Sequence, residues 1–238
     1  MSEPQTTAED VDFEEMYQGK SPLGTRIPWD TKEPQPGVIA LEASGQFAGE
    51  VADLGCGPGD NAIFLASRGH RVTGLDGAPS AIEQARARAS AKGVEVGFAV
   101  ADATKLDGYE DRFDTVLDSA LYHCFTEEVR HTYVEALTRA TKPGARLHMF
   151  CFTDAIPAGV PVPFLISERN LRETVGRSWE ITRLEQASYR TAFTLDMLHE
   201  ASRAVLGTDA DPATIAALDI DERGNLVLPV WQLTARRP

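Results

Sequence analysis

Basic residues are scarce in this 238-residue chain, where 23 Lys and Arg stand against 36 Asp and Glu for a formal net charge of −13. Nucleic-acid binding needs clustered cations on one face to neutralise phosphates, so this balance excludes nucleic acid as the expected partner. Cysteine is scarce too. Cys56, Cys124 and Cys151 form an odd, widely spaced set with no Cys-x-x-Cys and no Cys/His ligand pattern. That spacing argues for reduced thiols and against a disulfide framework or a metal site. No apolar run approaches the roughly 20 residues that span a bilayer. Residues 1–15 are acidic and lack the apolar stretch of a secretory leader. The expected setting is therefore the cytoplasm, without a membrane partner. Repeats and low-complexity tracts are missing as well.

What is present is a sufficient core, with 42% hydrophobic residues in a length that suits one domain. Short apolar runs alternate with helical patterns, which predicts an α/β fold with a parallel sheet and helices on both faces. Strands are expected over 50–54, 71–76, 95–100, 113–118 and 145–152. Helices are expected over 61–68, 80–91 and 127–140, with Thr126 as an N-cap and Gly69, Gly93 and Gly144 as stops. In such a sheet ligands gather at the carboxyl ends of the strands.

The first of those ends reads Asp53-Leu54-Gly55-Cys56-Gly57-Pro58-Gly59, a glycine-rich turn between strand and helix. Glycine suits a turn whose backbone angles a Cβ would oppose and where a ligand must approach the main chain. Asp76 closes the second strand and can accept hydrogen bonds from ribose hydroxyls; Asp102-Ala103 follows the third and can receive an adenine amino group. A dinucleotide fingerprint would want glycine at residue 60, which is Asp60, and Asp53 and Asp60 beside a pyrophosphate would repel it. S-adenosylmethionine (SAM) instead brings a sulfonium and an ammonium, which acids favour. A short-chain reductase is further disfavoured because no tyrosine has Lys four residues on.

Asp53, Asp76 and Asp102, at three successive strand ends after a glycine loop, resemble the class I SAM-dependent methyltransferases over roughly residues 50–152. The resemblance implies a Rossmann-like seven-stranded, mostly parallel sheet whose last strand is antiparallel, here 225–236 beside 180–191. It also implies a cofactor held by Asp53, Gly55, Gly57 and Asn61, then by Asp76, Gly77, Asp102, Ala103 and Asp118. Residues 1–37 read as a lid, 38–152 as the SAM-binding core, and 153–238 as substrate-side insertions and closing strands, all in one methyltransferase domain. Within the last part, 196–218 reads as a helical insertion.

Methyl transfer to a hydroxyl needs orientation and, for a neutral acceptor, a base. His123, just past the fourth strand, is the candidate base, with Tyr122 the competing group and Tyr17 a residue able to close over the substrate. The fourth strand lacks the Pro-Pro-Tyr turn of base-flipping methyltransferases, having Asp118-Ser119-Ala120-Leu121 instead. Ile27-Pro28-Trp29-Asp30 resembles the Pro-Trp element of thiopurine and halide/thiol methyltransferases, which implies Trp29 against the cofactor. With the Leu-Tyr-His-Cys-Phe turn and the Val-Pro-Phe-Leu-Ile-Ser-Glu segment, the whole chain resembles the mycobacterial heterocyclic toxin methyltransferases. That implies a small aromatic substrate, a hydroxyquinoline-like heterocycle methylated at a hydroxyl or ring nitrogen and thereby detoxified. Quinone or polyketide O-methylation is the nearest alternative, a non-catalytic SAM-binding protein a more distant one. The expected assembly is a monomer or weak homodimer.

Overall fold

The computed structural model describes residues 12–21 and 23–238, so residues 1–11 and 22 of the expected lid lie outside it. In chain order the elements begin with α1 (Phe13–Tyr17), α2 (Pro36–Ala43), β1 (Glu50–Leu54), α3 (Asp60–Ser67), β2 (Arg71–Asp76), α4 (Pro79–Lys92) and β3 (Gly97–Val100). They continue with β4 (Phe113–Ser119), α5 (Glu127–Ala140), β5 (Thr141–Phe152), α6 (Glu168–Thr174), β6 (Glu180–Thr194), α7 (Leu195–Leu206), α8 (Pro212–Ala216), β7 (Asp219–Ile220) and β8 (Asn225–Arg236). The sheet runs β3-β2-β1-β4-β5-β8-β6. β1 to β5 pair in parallel, while β8 lies between β5 and β6 and is antiparallel to both. The expected seven strands are there, and the two-residue β7 adds an eighth by pairing with β8.

Local chemistry explains the boundaries. The Thr126 hydroxyl accepts the Val129 N–H and starts α5 where the capping residue predicts it. Gly93 ends α4 in the left-handed region, φ 64°, which glycine reaches without a Cβ penalty. β5 already begins at Thr141 because Phe113 pairs with Thr141 before an irregularity in register, and the sequence-based start at 145 misses that pairing. β3 is shorter than expected because pairing with β2 begins only at Gly97.

The period-two alternation of the strands divides the core between two faces. Val51, Leu117 and Phe150 pack with α2, α3 and α4 residues such as Leu41, Ile63 and Ile82. Ala52, Leu54, Val116 and Met149 pack on the other face with Tyr133 and Leu137 of α5 and Leu171 of α6. Trp179 and Trp231 are buried there as well. Burial of a large side chain on either face contributes about 1.5–3 kcal/mol, which holds the strand ends in fixed relation.

Candidate active site

Three strand ends converge at the carboxyl edge of the sheet. After β1 the chain turns with φ of 64° at Gly55, 51° at Gly57 and 84° at Gly59. A Cβ at Gly55 would lie 2.9 Å from Cβ of Leu121, and one at Gly57 would lie 2.8 Å from Oη of Tyr17. Space and backbone angle both demand glycine. The Asp76 carboxylate accepts the Gly57 N–H at 2.8 Å and the Ala78 N–H at 2.9 Å, tying the loop to the end of β2. One acceptor site per oxygen remains for a further donor. Gly77 is exposed beside it, and Ala103 is half-buried past β3. Asp102 is exposed, held below the ordinary carboxylate pKa by its bond to Lys105 and then by Thr104.

Asp53 is the anomaly of this edge. It is 1% exposed, and neither carboxylate oxygen has a hydrogen-bond partner. Burial pushes its pKa up to about 8; the Ala62 amide, turned towards the carboxylate without closing a hydrogen bond of ordinary geometry, pulls it down, and Asp118, Asp76 and Asp60 push it up again. A buried acid without a donor calls for a cation, and the neighbouring carboxylates would repel a pyrophosphate. These residues fit SAM, whose ammonium and sulfonium match the sign of the site. Asp60 adds to that field while pairing at 2.9 Å with Arg88, which also binds Asp30 at 2.6 Å.

Two further residues expected at the cofactor have other tasks. The Asp118 oxygens accept the N–H groups of Leu121 and Tyr122 at 2.9 and 3.2 Å and the Tyr133 hydroxyl at 2.8 Å. It is a buried post for the turn after β4, not a free acceptor. Asn61 turns its carbonyl oxygen to the Gln35 N–H at 2.9 Å, joining the N-terminal segment to α3. Neither use is visible in the sequence, because both partners come from elsewhere in the chain or from backbone N–H groups.

The N-terminal segment lies over the glycine loop. Phe13, Tyr17, Ile27 and Trp29 pack with Ala78 and Ala81 at the start of α4. The Trp29 indole donates to Oη of Tyr17 at 2.7 Å. Glu14 caps α4 by accepting the Ser80 N–H and hydroxyl at 3.0 and 2.6 Å, and Gln84 donates to the Tyr17 carbonyl at 3.0 Å. Burial raises the Tyr17 pKa well above the usual phenol range, so its hydroxyl stays neutral. Trp29 and Tyr17 are thus one unit placed over Gly57.

The turn after β4 places the two residues of the expected catalytic pair in different surroundings. Tyr122 is fully buried, donates to Oδ1 of Asn170 at 2.9 Å, and packs beside Tyr133 on the α5 face. His123 stacks on Phe152 with ring centroids 4.1 Å apart, and its Nδ1 accepts the Phe152 N–H at 3.2 Å. The proton of the neutral ring therefore sits on Nε2, making that nitrogen a donor. Burial, aided by the charge of Arg130, holds the imidazole pKa down at about 3, far too low for a strong base at neutral pH. The geometry opposes a base at this position. Tyr189 of β6 completes the wall, edge-on to Phe152 at 6.3 Å with its hydroxyl 3.0 Å from Oγ of Ser119. Ala120 holds a φ of 79°, a strained angle for a residue with a Cβ, at the centre of this turn.

Sequence reasoning missed Tyr189, Arg88 and Arg130. No local motif marks them; only the pairing of β6 with β8 and the packing of α4 and α5 bring them here. A cleft of about 700 Å³ lies elsewhere: Glu50, Arg71, Arg86, Gly97 and Arg112 line it at the amino ends of the strands. It is not the site, because the glycine loop and the strand-end acids lie at the opposite end of the sheet.

A glycine-loop α/β protein with acids at three successive strand ends is the form of a methyltransferase. Residues 51–144 match the family model described as a methyltransferase domain. The chain is 39% identical over 179 residues to the 2-heptyl-1-hydroxyquinolin-4(1H)-one methyltransferase of Mycobacteroides abscessus, covering 74% of this chain and 79% of that protein. A solved structure from work on conversion of a disulfide bond into a thioacetal group during echinomycin biosynthesis superposes with a TM-score of 0.76 and 34% identity. The match covers 94% of this chain and 90% of that one. A SAM-dependent methyltransferase of Anabaena variabilis shares the fold, with a TM-score of 0.68 at 14% identity and 96% of each chain covered. The chain belongs to this methyltransferase family.

Proposed function

We propose that this methyltransferase uses SAM to methylate a hydroxyl or ring nitrogen of a small, flat, hydroxyquinoline-like heterocycle. The single observation that carries the cofactor half is Asp53, whose buried, unpartnered carboxylate beside the glycine loop asks for a cation. Asp53 would hold the ammonium, Asp76 the ribose, and Tyr17 with Trp29 would cover the loop from above. When bound, SAM supplies an electrophilic methyl group on a sulfonium.

The acceptor half follows from the aromatic wall. His123, Phe152 and Tyr189 offer stacked and edge-on rings, and Ile156 and Val160 of the post-β5 segment are buried among apolar side chains. A flat ring matches such a wall in shape and polarity. Nε2 of His123 supplies a hydrogen bond to an acceptor oxygen, and the rate enhancement comes from orientation rather than proton abstraction. The Mycobacteroides relative, named for a hydroxyquinolone, supports this substrate class.

The test is incubation of the purified protein with SAM and a panel of hydroxyquinolines and hydroxyquinolones, with products read by mass spectrometry. A mass gain of one methyl on at least one member is expected. Calorimetric binding of SAM with no methylated product across the panel would remove the substrate class while leaving the cofactor assignment. A neutralising setting inside the cell, where such compounds are made harmless by methylation, follows as part of the same proposal.

A further inference from the structure

Arg130 is a buried cation without an anion. It stands in the first turns of α5, is 5% exposed, pairs with no carboxylate among the described residues, and leaves Nε without a hydrogen-bond partner. Its guanidinium carbon lies 5.4 Å from the Tyr122 ring centroid and 5.3 Å from that of Phe164, so two aromatic faces hold it in place. Those faces belong to the two segments that border the acceptor wall. Tyr122 precedes His123 in the turn after β4, and Phe164 ends the apolar post-β5 segment, where its N–H donates to the His123 carbonyl at 3.1 Å. Cation–π contacts compensate only part of the cost of desolvating a guanidinium, and a bound anion would offset the rest.

We propose that Arg130 makes the acceptor site select the ionised form of the substrate, binding an oxygen anion of the methyl acceptor. The proposal rests on the methyltransferase reading above and adds to it the protonation state of the substrate. An acceptor that arrives as an oxyanion needs no base. Its oxygen lone pair forms the bond to the methyl carbon as the carbon–sulfur bond breaks, the electron pair stays on sulfur, and the positive charge of the sulfonium is discharged. No proton is left to move at this step, which accords with a turn that holds His123 as a donor.

The charged and titratable groups facing Arg130 are Glu127 on its own helix, Tyr122, His123 and Cys124 of the turn, and Cys151 of β5. Burial holds His123 at about 3, raises Cys124 to about 12, and raises Tyr122 and Cys151 further above neutrality. Asp118, with a pKa near 6, is buried behind the turn and could contribute an inflection of its own, but at a fixed pH. A pH effect that follows the substrate is therefore separable from these groups.

The experiment uses the full chain and SAM with two hydroxyquinolines whose ring substituents set their hydroxyl pKa values well apart. In the wild type, 1/KM for each acceptor should rise through that acceptor's own pKa, so the inflection moves when the acceptor is changed. An inflection that stays at one pH for both overturns the proposal, and needs no variant to do so. Arg130→Met, which keeps a long apolar stem between Tyr122 and Phe164, should raise KM for the ionised acceptor at least tenfold and abolish the moving inflection. SAM affinity by calorimetry should stay within twofold of wild type. Arg130→Lys should restore part of the preference, because it keeps the charge. Equal KM in wild type and Arg130→Met, with SAM still bound, also overturns it. Failure of the wild type to methylate any acceptor would instead overturn the activity reading on which the proposal rests.

Discussion

The two halves of the active edge are built by opposite means. The proposed cofactor half is backbone: Gly55, Gly57 and Gly59 in a turn no side chain could occupy, with Asp76 accepting the Gly57 N–H of that turn and the Ala78 N–H past β2. The proposed acceptor half is side chain: His123, Phe152, Phe164 and Tyr189 drawn from four separate segments, with Arg130 held against Phe164. The difference teaches where tolerance lies. A backbone cradle accepts little change and serves every acceptor alike, whereas a wall of side chains can be altered residue by residue and so sets which acceptor enters.

The largest effect that would sharpen this contrast is expected for Gly57→Val. The new Cβ meets the Tyr17 hydroxyl at 2.8 Å in a left-handed backbone, so SAM affinity should fall by more than about 100-fold with every acceptor affected equally. A variant that binds SAM normally by calorimetry would break the backbone-cradle argument. Next in size is Asp53→Asn, which removes the charge facing the proposed ammonium and should weaken SAM binding by about 1.5–3 kcal/mol.

Asp53 also gives a pH test with a definite sign. Its pKa is raised from 3.8 to about 8, so the folded protein without ligand keeps a proton that the unfolded chain has already released. The contribution to stability is fully present below about pH 4 and is lost as pH rises through about 8. Chemical denaturation should therefore show Asp53→Asn gaining on the wild type across that window and levelling off above it. At pH 7 SAM should also displace the proton, which calorimetry in two buffers of different ionisation heat detects as proton release in the wild type only. Equal proton release in the variant would detach Asp53 from the ammonium.

A smaller effect is expected on the acceptor side. A general base contributes about 100- to 10,000-fold, but His123→Ala should cost only about tenfold in kcat, since it removes a donor and a stacking face. Its pH profile should keep the wild-type shape between pH 5 and 9. A loss of 100-fold or more, confined to neutral acceptors, would restore the base role that the Phe152 N–H bond argues against. The smallest change is Tyr17→Phe, which deletes the acceptor of the Trp29 indole N–H while preserving the ring; a two- to fivefold rise in KM for SAM is expected, in line with about 0.5–1 kcal/mol for one partly buried hydrogen bond. Unchanged KM would mean the indole, not the phenol, holds the segment over the loop.

The sheet, the glycine turn and the row of acids at the strand ends are all legible in the amino-acid sequence. These depend on short-range rules: alternating apolar strands, a glycine wherever φ turns positive, and acids at consecutive strand ends. Even so, proximity in the motif did not give each residue its partner. Asp118 and Asn61 carry the right chemistry at the right edge, yet backbone N–H groups and Tyr133 use up the first and Gln35 engages the second. His123 is the sharper case, because a histidine beside a ligand edge suggests a base, and only the fold reveals that Phe152 fixes its tautomer and that burial lowers its pKa. Tyr122 and His123 are neighbours in sequence but go to opposite sides, one into the α5 core and one onto the aromatic wall. Tertiary structure alone decided that division, and with it the place of Arg130, because desolvation and long-range packing depend on groups far away in the chain that no local pattern encodes.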